Sequence, residues 1–221
     1  MPMNAQRFGR LTVESTTSSW FRKTSAAAVF ATAMFAIAAV SARGEGTQRW
    51  DIDPVHSNIS FSVRHMMLSD VKGTFDKFSG AITANDDDPK SVDIEATIDA
   101  SSINTRSEKR DSHVKSADFL DVAKYPTITF KSVKIQPDGD GKWKITGDLT
   151  LHGVTKPVVL EMTGPTPEVK VMGSPRRGAS ATTTINRQDF GIAFNKTLDS
   201  GGLVVGNDIA ISIDVEAVKA K

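Results

Sequence analysis

The chain has 221 residues, of which 39% are hydrophobic, and it carries 27 Lys and Arg, 26 Asp and Glu, and no cysteine. The near balance of charge leaves no basic field that would attract nucleic acid. The lack of cysteine excludes disulfides and thiolate chemistry, and the length allows one domain behind a processing segment.

A processing segment is predicted at the N-terminus. Arg22 and Lys23 precede an apolar run of 15 residues at 26–40, which is shorter than the roughly 20 residues of a membrane-spanning helix. Small residues at Val40-Ser41-Ala42 fit the site that a signal peptidase reads. We expect a secretory signal peptide at residues 1–42 and a mature domain at residues 43–221; an uncleaved anchor is the alternative.

From Trp50 the sequence alternates between apolar and polar residues, the period of half-buried β-strands. The first clear strand carries its apolar parity at Ile59, Phe61, Val63 and His65. A second strand is predicted over 73–82, where the parity shifts between Phe75 and Phe78 and indicates a bulge near Asp76-Lys77. A third strand is predicted over 92–99.

The stretch from Thr105 to Ser132 breaks this alternation. Thr105 and Glu108 have the spacing of a capping box, and a dense run of charged residues follows. The pattern predicts a short helix or pair of turns on a surface, before a new strand begins at Thr127, after Pro126. Such an insertion is either a functional loop at the end of a sheet or barrel or a solvated connector, and the residues leave both open.

Alternating strands continue to the C-terminus. A hairpin turn is predicted at 137–141, and strands are predicted over 127–135, 143–151, 157–162, 169–172, 179–185 and 209–217. About eight evenly spaced strands favour an antiparallel sandwich or a closed barrel. A barrel of roughly eight strands removes exposed edges and can hold one small ligand.

Catalytic and metal-binding patterns are weak. The four histidines, at positions 56, 65, 113 and 152, do not have metal-ligand spacing. No Gly-x-Ser-x-Gly elbow occurs, and Gly201-Gly202 leads into a strand, so it does not form a phosphate-binding loop. We expect neither an enzyme nor a metal; a metal site assembled only in space is the alternative.

Apolar side chains exceed the groups available for chemistry. They either line a deep cavity or simply fill the barrel, and small inward residues at Gly147, Ala179 and Ala181 favour a void. The candidates are Phe61, Phe75, Phe78, Phe130, Phe190, Phe194, Trp143, Met66, Met67 and Leu68.

A set of short motifs accompanies these strands from Trp50 to Val218. They are W-x-I-D-x-x-H-S at 50–57, I-x-F-x-V-x-H at 59–65, G-x-F-x-x-F-x-G at 73–80, R-D-x-H at 110–113, S-x-D-F-L-D at 116–121, Y-P-x-I-x-F at 125–130, G-x-L-T-L-H-G-V-T at 147–155 and N-R-x-D-F-G at 186–191. Each motif is weak alone, but together they resemble the YceI-like family of periplasmic polyisoprenoid-binding proteins.

The resemblance implies an all-β fold, an extended eight-stranded antiparallel lipocalin-like β-barrel with a short helical insertion near 105–121. It also implies a periplasmic carrier that holds a long isoprenoid lipid, a polyprenyl diphosphate or an isoprenoid quinone, and needs no other cofactor. The expected cavity-lining residues are Phe61, Val63, His65, Phe75, Phe78, Phe130, Leu149, Leu151 and Phe190. Arg110, His113 and Arg187 are the expected contacts of the lipid head group.

Several alternatives stay open at this point. The same fold is compatible with an enzyme or redox partner that acts on a quinone or a lipid head group, and with a barrel that binds nothing. Transient contact with the membrane surface and a homodimer are further expectations that the sequence does not decide. Nucleic acid is not expected as a partner.

We expect N-terminal sequencing of the exported protein to begin near Arg43, because the basic residues, apolar run and small residues are arranged as in a signal peptide. Recovery of the intact chain from Met1 onward in the cytoplasm would contradict this expectation.

Overall fold

The computed structural model describes residues 46–85, 88–199 and 201–221; the expected signal peptide, residues 1–42, lies outside them. No helix in these ranges is long and apolar enough to cross a membrane. The helix α1 spans Glu108–Lys115, and the strands are β1 (Thr47–Ile52), β2 (Asn58–His65), β3 (Ser69–Phe75), β4 (Phe78–Asn85), β5 (Asp88–Asp99), β6 (Ile103–Asn104), β7 (Thr127–Pro137), β8 (Lys142–Leu151), β9 (Val154–Thr163), β10 (Val169–Val171), β11 (Ser174–Asn186) and β12 (Val205–Lys219).

The strands close into a barrel with eight strand positions around the ring. Going round the ring, antiparallel neighbours follow the order β1, β4, β5, β7, β8, β9, β11 and β12, and β12 pairs back with β1. The long strand β12 pairs with β2 over its first part and with β1 near its end. At one end of the barrel, β2, β3 and β6 therefore occupy the ring positions that β1, β4 and β5 occupy at the other end. The prediction of an eight-stranded antiparallel barrel with one short helix is therefore confirmed.

Three of the eight positions in the ring are formed by two consecutive strands, and the break between β3 and β4 corrects the sequence interpretation. The single strand predicted over 73–82 is two strands, β3 and β4, which pair with different neighbours. Asp76 and Lys77 lie between them, where the Asp76 N–H donates to Ser102 at 3.2 Å and the Lys77 carbonyl accepts from Asp99 at 2.9 Å. The parity shift thus marks a full break in the strand, more than the predicted bulge.

The start of α1 is a second correction. Its N-cap is Ser107, which makes no side-chain capping bond, so the predicted capping box between Thr105 and Glu108 does not form. Thr105 Oγ1 donates instead to Asp111 Oδ1 at 2.5 Å, and Arg110 Nε donates to Thr105 Oγ1 at 2.8 Å. The Asp111 carboxylate, in the first turn of the helix, therefore accepts a hydrogen bond from the Thr105 hydroxyl that the capping box would have used. No residue of α1 is buried, as expected for a surface helix.

Two glycines of the barrel strands, Gly73 and Gly147, are covered by aromatic rings. An ideal Cβ at Gly73 would lie 2.5 Å from Phe61 Cζ, and one at Gly147 would lie 2.6 Å from the Lys131 carbonyl oxygen and would overlap the ring of Phe130. The space that Gly147 leaves is therefore filled by Phe130, and it does not add to a void. Because glycine has no side chain, Gly73 and Gly147 leave room for the rings of Phe61 and Phe130 to lie against the backbone.

We expect Gly147→Ala to lower the free energy of unfolding by about 1–3 kcal/mol, because the added methyl group meets a phenylalanine ring and a backbone oxygen that cannot move freely. Chemical denaturation measures the change. Gly178→Ala is the matched control, since the nearest atom to its Cβ would be 3.6 Å away. Equal stability of the two variants would contradict the packing argument.

Candidate ligand-binding cavity

The interior of the barrel contains a cavity of about 560 Å³, within the range of roughly 300–1,000 Å³ that small-molecule sites occupy. Its walls come from the inward parity of the barrel strands, together with α1 and the loop before β12. The apolar wall includes Ile59, Phe61, Val63, Phe75, Phe78, Ile94, Ile98, Phe130, Leu149, Leu160, Met162, Ile185, Ile209, Ile211, Ile213 and Val215.

Eight of the nine residues expected in the cavity wall lie there, namely Phe61, Val63, His65, Phe75, Phe78, Phe130, Leu149 and Leu151. Phe190 does not: it is only 2% exposed and packs in the buried core beside the cavity. It lies in a short 3-10 turn, Arg187–Phe190, that follows β11, so the alternation of the strand does not carry over to it.

Other members of the apolar inventory also lie elsewhere. Phe194, Ala179 and Ala181 line the cavity, but Met66, Met67 and Leu68 form the exposed turn between β2 and β3. Trp143 packs in the wall of the barrel outside the lining, where its indole N–H donates to the Gly164 carbonyl at 2.8 Å. Met66, Met67 and Leu68 lie in a turn, where the alternation of a strand does not apply. Trp143 keeps the parity of Ile145 and lies opposite Met162, but it is at the start of β8, beyond the described lining.

The charged residues of the lining all have one sign. Arg64, Arg110, Arg187 and Lys196 line the cavity together with His65 and His113, and the described lining contains no Asp or Glu. Arg64, Arg110, His113 and Lys196 are exposed, so they mark the end of the cavity that opens to solvent, which we call the mouth. A cavity with apolar walls and a basic mouth suits an apolar chain with an anionic or hydrogen-bond-accepting head.

Arg187 is buried, with 3% of its surface exposed. Its Nε donates to Gly206, its Nη1 to Ile192 and Phe194, and its Nη2 to Val205 and the Asn207 side chain, at 2.6–3.4 Å. These acceptors are neutral, and burial lowers the pKa of the guanidinium. Five bonds use the five N–H groups of the fork, so Arg187 has no donor left for a ligand head.

An aromatic triad of His113, Phe119 and Phe194 joins α1 to the loop before β12 at the mouth. The ring centroids lie 5.0–5.2 Å apart, and both histidine contacts are edge-to-face. His113 Nε2 also lies 2.8 Å from Asp118 Oδ2. All three rings line the cavity, so they narrow its opening by side-chain contact.

Comparison with known proteins identifies the family. The model of the YceI-like domain matches residues 50–217. The chain belongs to the YceI-like domain family. It is 36% identical over 165 residues to the UPF0312 protein SA2479 of Staphylococcus aureus, covering 74% of this chain and 94% of that relative.

Two solved structures resemble this YceI-like barrel. The Campylobacter jejuni YCEI protein superimposes with a TM-score of 0.60 at 32% identity, covering 72% of this chain and 90% of that chain. A polyisoprenoid binding domain from Saccharophagus degradans superimposes with a TM-score of 0.57 at 16% identity, covering 77% of this chain and 98% of that chain. At that identity the second likeness concerns the fold alone.

The YceI-like domain also carries a polar cluster near the opposite end of the barrel. Asp53, His56 and Glu216 are close enough together to hold a metal ion, but Arg176 Nη1 already donates to both carboxylates. The His56 ring, the Arg176 guanidinium and the Val55 N–H hold the pKa of Asp53 well below its usual range. The guanidinium supplies the positive charge that these carboxylates need, so the cluster is explained as an ion-pair network.

Some mouth residues of this YceI-like chain were missed by the sequence interpretation. Arg64 belongs to the outward parity of β2 and reaches the cavity only at the strand end, and Lys196 lies in a loop without periodicity. Nothing in the local sequence marks either residue. The inward isoleucines of β12 were visible as the most regular parity in the chain.

We expect Arg187→Lys to lower the free energy of unfolding by about 2–4 kcal/mol, because lysine has three donors and leaves several buried acceptors without a partner. Urea denaturation measures the loss. Arg49→Lys is the matched control: Arg49 is exposed and pairs with Asp51, so its replacement changes stability by less than about 0.5 kcal/mol. Similar stability of the two variants would show that the Arg187 network is dispensable.

Proposed function

We propose that this protein is a periplasmic carrier that binds a long isoprenoid lipid, a polyprenyl diphosphate or an isoprenoid quinone, inside the barrel. The observation that carries the proposal is the cavity of about 560 Å³ with apolar walls. Each CH₂-sized group moved from water into such a site is stabilised by about 0.8 kcal/mol. An extended hydrocarbon chain gains most from this environment.

The position of the basic residues supports a defined orientation of the lipid. With the chain among Phe61, Phe130 and Leu149, its head lies at the mouth, beside Arg110 and His113. Arg110 uses Nε and Nη2 on Thr105, at 2.8 and 2.6 Å, which fixes the guanidinium at the rim. A diphosphate would form charge-assisted hydrogen bonds there, and a quinone carbonyl would accept weaker ones.

The family and fold favour a carrier over an enzyme. The polyisoprenoid binding domain of Saccharophagus degradans has the same fold, so the proposed cargo is compatible with this architecture. An enzyme acting on the lipid head would need an acid and a base against it. The described lining has no carboxylate, and the His113–Asp118 pair is about half exposed on both sides.

We expect Phe61→Asp to lower the amount of lipid bound per folded molecule severalfold or more, because an unpaired charge in an apolar site costs several kcal/mol. Mass spectrometry of organic extracts measures the lipid, and circular dichroism establishes that the variant is folded. Ser62→Asp places the same charge on the opposite face of β2 and should keep the lipid. A folded Phe61→Asp protein with unchanged lipid would overturn the proposed position of the chain.

We expect Arg110→Ala to change which lipid is retained and to alter the total lipid less than Phe61→Asp does. Arg110 is at the mouth, so its removal weakens contact with an anionic head but leaves the apolar walls intact. The ratio of diphosphate to quinone lipids in the extract is the readout. An unchanged ratio would show that Arg110 does not contact the head group.

A further inference from the structure

The turn between β2 and β3 exposes three consecutive apolar side chains beside the mouth. Met66, Met67 and Leu68 are 40%, 59% and 79% exposed, and we call these three residues the apolar tip. Both methionines have positive φ, 51° and 61°, a conformation that residues with a Cβ adopt rarely. The Leu68 N–H donates to the His65 carbonyl at 3.0 Å, so the turn is closed and its side chains stay outside.

The apolar tip is joined to the mouth by backbone contacts. The Met66 N–H donates to Val204 at 2.8 Å, and the Val204 N–H donates to Lys196 at 2.9 Å. Val204, Lys196, His65 and the neighbouring Arg64 all line the cavity. Whatever the tip contacts therefore lies next to the opening through which a ligand must pass.

Two basic residues, Arg64 and Lys196, lie next to the tip. Arg64 Nη2 donates to the Met67 carbonyl at 3.2 Å, and its Nη1 pairs with Asp70 at 3.3 Å. Lys196 is an exposed cation of the adjoining loop, whose acidic residue is Asp199. Together with Arg110 on the far side of the mouth, Arg64 and Lys196 are exposed cationic side chains of the cavity lining, which contains no Asp or Glu among the described residues.

We infer that the apolar tip inserts into the surface of an anionic lipid bilayer and places the mouth against it. Apolar side chains that project between cations match the boundary between acyl chains and anionic head groups. A protein partner fits less well, because the area that three side chains can bury is much smaller than the roughly 800 Å² per partner of a stable interface. The inference rests on the proposed function, since a lipid cargo that is insoluble in water must be taken from a bilayer and returned to one.

Sedimentation with lipid vesicles tests this docking surface. The probes are vesicles of phosphatidylcholine with and without phosphatidylglycerol, and the protein is that recovered from cells expressing the full chain, with its N-terminus established by mass spectrometry. Residues 26–40 would bind vesicles if they were retained, so the readout is the difference between variants. Wild-type protein should bind the anionic vesicles more strongly than the neutral ones.

We expect Met67→Asn combined with Leu68→Ser to lower binding to anionic vesicles at least about tenfold, because it removes the apolar surface that inserts. Asparagine tolerates positive φ, so the turn is preserved. Met172→Asn is the matched control: Met172 is fully exposed, has φ 49°, and lies in the turn between β10 and β11. Its binding should equal that of wild type.

Lys196→Gln should lower binding to anionic vesicles about fivefold, with little effect on neutral ones. Equal losses for the Met172 and Met67–Leu68 variants, or no binding of wild type to either vesicle, would overturn the docking surface. Lipid content is measured on the same preparations. If vesicle binding depends on the tip but no lipid is extracted, the proposed cargo alone is contradicted. If lipid is extracted but vesicle binding does not depend on the tip, the docking surface alone is contradicted.

Discussion

The pairing of β11 with β12 closes the sheet, and most other properties of the molecule depend on it. The register runs from Arg176 opposite Val218 to Asn186 opposite Asp208. Once the ring is closed, each side chain of a strand points either into the barrel or to its outer face. The alternating sequence of β12 then places Ile209, Ile211 and Ile213 inside, so an apolar interior results directly from closure.

The buried Arg187 connects the end of β11 to the start of β12 and to the loop at the mouth. Arg187 follows β11, and its guanidinium holds the first residues of β12 and the carbonyls of Ile192 and Phe194. Phe194 in turn contacts His113 and Phe119 of the helical segment. The seam of the barrel and the narrowing of its mouth are therefore coupled through one side chain that carries a full charge among neutral acceptors.

Sequence reasoning succeeded where a property is local and failed where it depends on distant pairing. A period of two is visible within one strand, which is why Phe61, Val63 and Leu149 were assigned correctly to the inner face. The break at Asp76-Lys77 was visible as a parity shift, but its nature depends on partners far along the chain. The bonds of Arg187 and the place of Lys196 at the mouth join separate loops, and no local pattern encodes them. The competition between Asp111 and Glu108 for Thr105 was equally hidden, because both spacings are compatible with a helix start.

The helical segment forms part of the wall without joining the β-ladder. The backbone N–H groups of Leu120, Val122 and Tyr125 donate to carbonyls of the same segment, while Val114, Phe119 and Val122 pack against the core. An insertion or deletion here would leave the register of the surrounding strands unchanged. The size of the opening can thus change without a change in the pairing of the barrel strands.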